Sequence, residues 1–541
     1  MKKLIAIIVL SFLLRSILLD KIPPSLNWDE VSQGYNAYSI LKTGRDEWGV
    51  SFPVTNFRAY GDYPTTFYMY AAIPFIYLFG PSEFSVRLPA VIFGSLLPLL
   101  IYLLTEHLTR KKTVALTAAF FSAVSPWSIL LSRQTIQAIP ATSLLTFGIL
   151  LFVVGMKKKT WLAIIGTAVL GLSAFAYHNT RIFSPLFLVV LLFLYRRQLL
   201  ANLKLLAIIL TTAVILFVPT TLAALSAEGS ARSAFVGIIN PGAINEINTA
   251  RGASTLPPLF ARLVHNKVTY FIPKAVTNYL GYFSPQFLFL KGGSQYQFSV
   301  QGFGIVNPLE SLFFYLGLLT LVINLRKLDL SKKVILYWLL LSPLPAAITN
   351  DPYQVVRATT MLPAVYLVTA IGLTRALDRK VIFTVFWVIY LSWLALYLKN
   401  LFFDYSNKYS QAWQYGYKQV FQLLKAYPNQ KVIITKRYGE PHLFYAFYSQ
   451  LDPKIIQDKT RSLRFPKSDW FWTDKIDQVY FVNDWDIPTG QVDQIRLESG
   501  GAVDTHDSIL VTSPDHVPVN LSIIKTVYFL DGQSAFVIGR L

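Results

Sequence analysis

A succession of apolar runs, each close to the ~20 residues that a helix needs to cross hydrocarbon, constrains this chain more than any other feature. The runs lie at 4–19, 88–104, 113–131, 137–155, 161–177, 182–195, 203–220, 307–325, 334–349, 358–374 and 381–398. Of 541 residues 53% are hydrophobic and 14% charged, whereas a soluble protein carries about 25% charged residues. The fold class expected is a polytopic α-helical membrane protein.

One more run, 64–79, decides the topology. It is short, rich in Tyr and Phe, and contains Pro64 and Pro74. If it spanned, Arg110-Lys111-Lys112 and every later basic cluster would change side. If it lies in the interface, all the clusters fall on the cytoplasmic side: Lys157-Lys158-Lys159, Arg196-Arg197, Arg326-Lys327 with Lys332-Lys333, and Arg375 with Arg379-Lys380. The second arrangement gives eleven spans with the C-terminus outside. The first helix is read as uncleaved, because Arg15 interrupts its apolar run and no small-residue cleavage site follows. The net charge of +20 is thereby first a topology signal. The basic clusters are too short and scattered for a nucleic-acid face. The chain has no cysteine, which excludes disulfides and thiolate metal sites.

The expected organisation is a membrane domain over 1–398 and a soluble domain over 399–541 on the outer face. The membrane domain carries a first outer loop, 20–87, and a long outer loop, 221–306, with a reentrant or surface-lying part. In the soluble domain Lys431–Thr435, Gln478–Val482, Ser508–Thr512 and Ala535–Gly539 read as strands, and Gln411–Ala426 as a helix, giving an α/β or α+β domain.

The candidate polar groups gather at the outer ends of the spans. Asp29, Glu30 and Asp46 are candidate catalytic carboxylates, since a carboxylate within ~3 Å of a hydroxyl can take its proton. Arg58, Arg87, Arg133, Arg181, Arg357 and Lys291 are candidate phosphate ligands, the guanidinium offering two parallel N–H donors. Asp62, Tyr63 and His178 are candidate substrate contacts. Asp484-Trp485-Asp486 has the spacing of a metal-binding DxD pair but follows a strand in the outer domain, where a turn is expected. No Walker loop, HExxH or GxSxG occurs. The residues name no cofactor and leave a divalent metal open.

Several of these segments resemble GT-C glycosyltransferases, in the branch that contains protein O-mannosyltransferases and lipid A aminoarabinose transferases. Asn27-Trp28-Asp29-Glu30 after the first helix resembles that family's Asp-Glu pair. Phe84-Ser85-Val86-Arg87-Leu88-Pro89, followed by Gly94, resembles its approach to the second spanning helix. Asn278–Gly292 and Arg357–Pro363 resemble outer segments of bacterial relatives. The resemblance implies a polyprenyl-phosphate sugar as donor and an acceptor hydroxyl on a protein, lipid or glycan. It further implies Asp29 as the base, transfer with inversion, and basic residues on the leaving phosphate. There are two departures. Pro64 stands where relatives often have the Lys of a Lys-Pro pair, and Gln137 stands where an acid is expected. Either Arg58 or another arginine replaces the missing Lys, or this chain handles its donor differently. A transporter or flippase of lipid-linked sugars is the alternative. It would place ionisable groups near the midplane and often show paired halves; neither is seen here.

Overall fold

The computed structural model describes residues 1–226, 229, 236–323, 325–376, 380–468 and 470–541. Arg379 of the last basic cluster, and most of the Ala/Ser/Gly stretch that opens the long outer loop, lie outside the described residues. The apolar runs are helical. Their helices include α1 (Lys2–Ser16), α4 (Glu83–Thr109), α5 (Lys112–Val124), α6 (Pro126–Ser132), α7 (Ala138–Lys157), α8 (Trp161–Ala176) and α9 (His178–Leu194). Helix α2 (Trp28–Thr43) and helix α3 (Phe67–Phe79) lie between α1 and α4. Among the described residues four helices are long and apolar enough to cross a membrane, five if the bent pair α5–α6 counts as one span, and five other apolar helices have 10–17 residues.

The chain divides into two compact units: 1–17, 90–132 and 136–398 form the first, and 18–89, 133–135 and 399–541 the second. The first unit is helical. Small residues let α7 and α8 approach closely: a Cβ on Gly155 would stand 2.3 Å from the Ala163 nitrogen, and one on Gly166 would stand 2.5 Å from the Phe152 nitrogen. The 51° bend between α5 and α6 has a local cause. Pro126 lacks the N–H that would bond the Ser122 carbonyl, and the Trp127 N–H turns away to the Ile305 carbonyl. Arg15, fully buried in α1, takes up both orphaned acceptors, donating to the Ala123 carbonyl at 2.9 Å and the Ser122 carbonyl at 3.2 Å, and also reaches Ser128 Oγ at 2.7 Å. The charge that interrupts the first apolar run is thus spent on a break in a neighbouring helix. In the long loop the amphipathic helix Lys267–Gly281, capped by Asn266, buries none of its residues.

The second unit is built on a seven-stranded sheet in the order β2-β3-β4-β1-β7-β9-β8, with β1 (Lys431–Thr435), β2 (Ser462–Lys467), β3 (Trp470–Ile476), β4 (Val479–Val482), β7 (Ser508–Thr512), β8 (Ser522–Tyr528) and β9 (Ser534–Arg540). A separate ribbon pairs β5 (Gln494–Arg496) with β6 (Ala502–Asp504). Central β1 runs parallel to both β4 and β7, and its unbroken KVIIT sequence suits burial on both faces. Alternation assigns the faces. Val432 and Ile434 enter one core with Phe481 and Val511, while Ile433 enters the other with Val482 and Leu510. The sequence-predicted strands match β1, β4, β7 and β9; the predicted helix is shorter, Tyr417–Leu424.

This unit does not begin at 399. Tyr35, Ile40, Met69 and Ile76 from α2 and α3 share the first core with β1, β7 and the helix Pro441–Tyr448. At Gly34 a Cβ would come within 2.8 Å of both Phe447 and Val86 side-chain carbons. The first loop and the C-terminal sheet therefore hold one hydrophobic core in common, although nearly the whole apolar half of the chain separates them in sequence.

Candidate active site

Asp29 and Glu30 occupy the first turn of α2, where carboxylates complement the exposed N–H groups. Their fates diverge. Asn27 and Glu30 form a reciprocal capping box: Asn27 Oδ1 accepts from the Glu30 N–H at 2.9 Å, and the Asn27 N–H donates to Glu30 Oε2 at 3.2 Å. Glu30 is 1% exposed and faces Arg87, itself fully buried, in a bidentate pair with Nε–Oε1 and Nη2–Oε2 both at 3.0 Å. The Thr135 N–H adds a fourth donor at 2.8 Å. Asp29, one position along, is exposed.

Arg87 spends its remaining donors on the Leu19, Pro23 and Ser25 carbonyls at 3.0, 2.9 and 2.5 Å. Its guanidinium is saturated, so a phosphate could reach it only by displacing Glu30 or the backbone. Arg133 is also fully buried. It donates to the Ile22 and Leu18 carbonyls and lies 5.0 Å from the Phe402 ring centre. Two arginines thus fix 18–25, the segment that leads into α2.

Trp28 sets the attitude of Asp29. Its N–H donates to Gln414 Oε1 at 2.8 Å, and its carbonyl accepts from the Tyr60 hydroxyl at 2.9 Å. Gln414 Nε2 in turn donates to the Tyr438 carbonyl at 2.5 Å. Gly439, at φ 81°, lies against the Trp28 ring, where a Cβ would approach to 2.7 Å. Beneath this contact Trp470 Nε1 donates to the Glu440 carboxylate at 2.5 Å, and the Trp470 ring stacks on Tyr60. Burial raises the Glu440 carboxyl to about 7, with the Trp470 bond opposing. His442, 3.4 Å from Glu440, is held well below the usual imidazole range by burial, reinforced by Arg464 and Lys436.

The segment 45–63 carries the other first-loop candidates. Asp46 is buried and shapes a turn, Oδ1 accepting from the Trp48 and Val50 N–H groups at 2.9 and 2.8 Å; burial raises its carboxyl. This reserve candidate for the base is 1% exposed. Glu47 pairs at 2.6 Å with Arg464 of β2, a residue 417 positions distant. Arg58 has different surroundings. Its guanidinium sits among aromatic rings, 4.3 Å from the Phe471 centre, 5.0 Å from Trp48 and 5.8 Å from Tyr63. Its Nε is buried without a hydrogen-bond partner, and among the described residues it makes no ion pair. Asp62 closes the adjoining turn through the Tyr63 N–H at 2.7 Å.

The remaining candidates stand in the helical unit. Arg357, 17% exposed, has Nη1 3.6 Å from Asp351, and its carbonyl accepts from Asn179 at 2.5 Å. His178 and Arg181 lie in the first turns of α9, and Arg181 Nε donates to the Ala174 carbonyl at 3.1 Å. Lys291 ends a π-helical turn, is exposed, and its ammonium makes no hydrogen bond or ion pair among the described residues.

The DxD spacing is a turn. Asp484 is buried, accepting from Thr435 Oγ1 at 2.6 Å and Ser513 Oγ at 2.9 Å, while Asp486 accepts from Asn483. Among the described residues no three His, Asp or Glu side chains come together as a metal-holding group. Gln414, Glu440 and Arg464 were missed in the sequence because none sits in a recognisable motif, and because Trp28 and Glu47, the first-loop partners of Gln414 and Arg464, lie 386 and 417 positions away.

Residues 64–222 match the family model described as dolichyl-phosphate-mannose-protein mannosyltransferase. No curated protein matches the sequence. Among solved structures the chain is similar to ArnT from Cupriavidus metallidurans bound to undecaprenyl phosphate, with a TM-score of 0.53 at 12% identity, covering 99% of this chain and 97% of that one. It is also similar to the oligosaccharyltransferase AglB from Archaeoglobus fulgidus in complex with an inhibitory peptide and a dolichol-phosphate, with a TM-score of 0.49 at 13% identity, covering 83% of this chain and 63% of that one. The GT-C resemblance is thus shown as a family match over 64–222 and as a shared fold over the whole chain.

Proposed function

We propose that this chain, with its GT-C fold and mannosyltransferase-type segment, is a membrane glycosyltransferase. It moves a sugar from a polyprenyl-phosphate carrier to an acceptor hydroxyl on the outer face of the membrane, where the C-terminal domain also lies. The observation that carries the reading is the asymmetry of the acidic pair. Glu30 is buried and saturated by Arg87, Asn27 and Thr135, whereas Asp29 is exposed on a turn held from both sides through Trp28.

In this reading Asp29 takes the acceptor proton as the hydroxyl oxygen bonds to the anomeric carbon. The bond from that carbon to the phosphate oxygen breaks on the opposite face, so configuration inverts and polyprenyl phosphate leaves. The leaving group needs positive charge rather than a proton. Arg58 is the first-loop residue best fitted to supply it, because its donors are not spent on protein carboxylates. Arg87 and Arg133 are positioning residues that hold 18–25.

Asp29→Asn preserves shape and removes the base. Turnover should fall about 10²–10⁴-fold while binding of undecaprenyl phosphate stays near normal. Unchanged turnover would refute the assignment.

A further inference from the structure

The sheet-bearing unit holds a cavity of about 500 Å³, within the size range of small-ligand sites. Its walls come from the 18–25 segment, the 402–407 segment that ends the last long apolar helix, and the helix Tyr417–Leu424 with its approach. One side of the cavity is fixed by both buried arginines: Arg133 holds the Leu18 and Ile22 carbonyls, and Arg87 those of Pro23 and Ser25. Glu83 on the wall is already engaged, by Lys418 at 2.9 Å and the Tyr448 hydroxyl at 3.0 Å.

Ser25 Oγ donates to the Leu26 and Trp413 carbonyls and Ser406 Oγ to the Lys21 carbonyl, whereas several other polar groups are not engaged. The side chains of Asp20, Lys21, Asn407 and Gln422 line the cavity and make no hydrogen bond or ion pair among the described residues. Gln419 Oε1 is buried there without a partner, and a buried acceptor left unmade costs about 1–3 kcal/mol. Phe402 and Tyr415 add aromatic side chains to the lining. The lining thus includes donors and acceptors beside apolar side chains such as Ile22 and Leu530. It balances two carboxylates against two ammonium groups, and it adds aromatic surface. An anionic headgroup or free phosphate would meet Asp20 and Glu83 as well as the lysines. A neutral polyhydroxylated molecule both donates and accepts at each hydroxyl and presents an apolar C–H face to an aromatic ring.

We propose that this cavity is a glycan-binding site, taking a neutral mono- or disaccharide unit. Its service as the acceptor site rests on the transferase reading; the binding itself does not. Saturation-transfer NMR on the full chain in detergent, with maltose, α-1,2-mannobiose and chitobiose as probes, tests it. Undecaprenyl phosphate binding is measured on the same samples. At least one disaccharide should bind, and Gln419→Ala and the exposed Asn407→Ala should each weaken that binding about tenfold, with undecaprenyl phosphate binding unchanged. If no neutral disaccharide binds while undecaprenyl phosphate does, the glycan site is refuted and the transferase reading stands. If a disaccharide binds but undecaprenyl phosphate does not, the site stands and the transferase reading fails. Displacement of a bound disaccharide by inorganic phosphate or by phosphatidylglycerol bicelles would overturn the choice of a neutral ligand, as would equal binding by wild type and both variants.

Discussion

Two regions of the first outer loop each hold an arginine among aromatic and acidic residues, and they use it in opposite ways. Around the start of α2, Arg87 is closed off: every N–H is assigned, to Glu30 and to three carbonyls, and no part of the side chain is exposed. Around 45–63, Arg58 is stacked in a ring of Trp48, Tyr63 and Phe471, and the nearby carboxylate of Glu47 is claimed by Arg464 instead. A saturated guanidinium is structure. A guanidinium whose neighbours offer π-faces rather than lone pairs keeps its hydrogen-bonding capacity for something else. A count of arginines at the membrane edge cannot make that distinction, but the bonding of each one does.

The largest effect should come from breaking the closed region. Arg87→Ala leaves Glu30 buried without its counter-charge, and such losses run to about 3–5 kcal/mol. Unfolding of the purified chain should move accordingly. The double variant Arg87→Met with Glu30→Leu should recover much of the loss, because the desolvation penalty disappears with both charges. A double variant no better than the single would mean that the carbonyl contacts, not the ion pair, carry the region.

A second prediction concerns the layer under Trp28. Glu440 has its folded value raised to about 7 by burial, above the unfolded 4.5. The unfolded chain then releases this proton first, so stability falls as pH rises from 4.5 towards 7, by about 3 kcal/mol in total. His442, depressed by burial, works in the other direction as pH drops below 6.5. Glu440→Gln should flatten the loss on the rising side when thermal unfolding is followed from pH 5 to pH 8. A wild-type profile in the variant would show that Glu440 does not titrate in that window.

The smallest effect on stability should come from the open region. Arg58→Ala should change unfolding by about 1 kcal/mol or less, the size of a partly exposed cation–π contact, yet weaken undecaprenyl phosphate binding. Arg58→Lys should restore only part of the binding, since an ammonium cannot offer the paired fork. Large destabilisation with intact lipid binding would place Arg58 with Arg87 as a structural residue and dissolve the comparison.

Some local elements were legible in the sequence: KVIIT and SILVT read as strands. The helix at 28–43 and its Asn27–Glu30 capping box were not, falling inside a segment read only as an outer loop. What the sequence did not reveal was which charges would be consumed. Arg15 looked like a flaw in an apolar run until the Pro126 break supplied its acceptors. Arg87 looked like a ligand until Glu30 and the 18–25 carbonyls met it. The common core of α2, α3 and the C-terminal sheet was hidden for the same reason. Its contacts join positions some 400 residues apart, such as Trp28 with Gln414, and no periodicity within a segment records them.

In the proposed reaction Asp29 removes the acceptor proton from a hydroxyl attacking a lipid-linked sugar. Mass spectrometry of lipid-linked sugars and surface glycans tests it most directly, in cells that carry the wild-type chain, the Asp29→Asn chain or no chain. Asp29→Asn cells should match cells without the chain: one polyprenyl-phosphate sugar accumulates and one sugar is missing from a surface product, although the variant protein is present in the membrane at normal amount. Lipid and surface profiles of Asp29→Asn cells identical to wild type would contradict it.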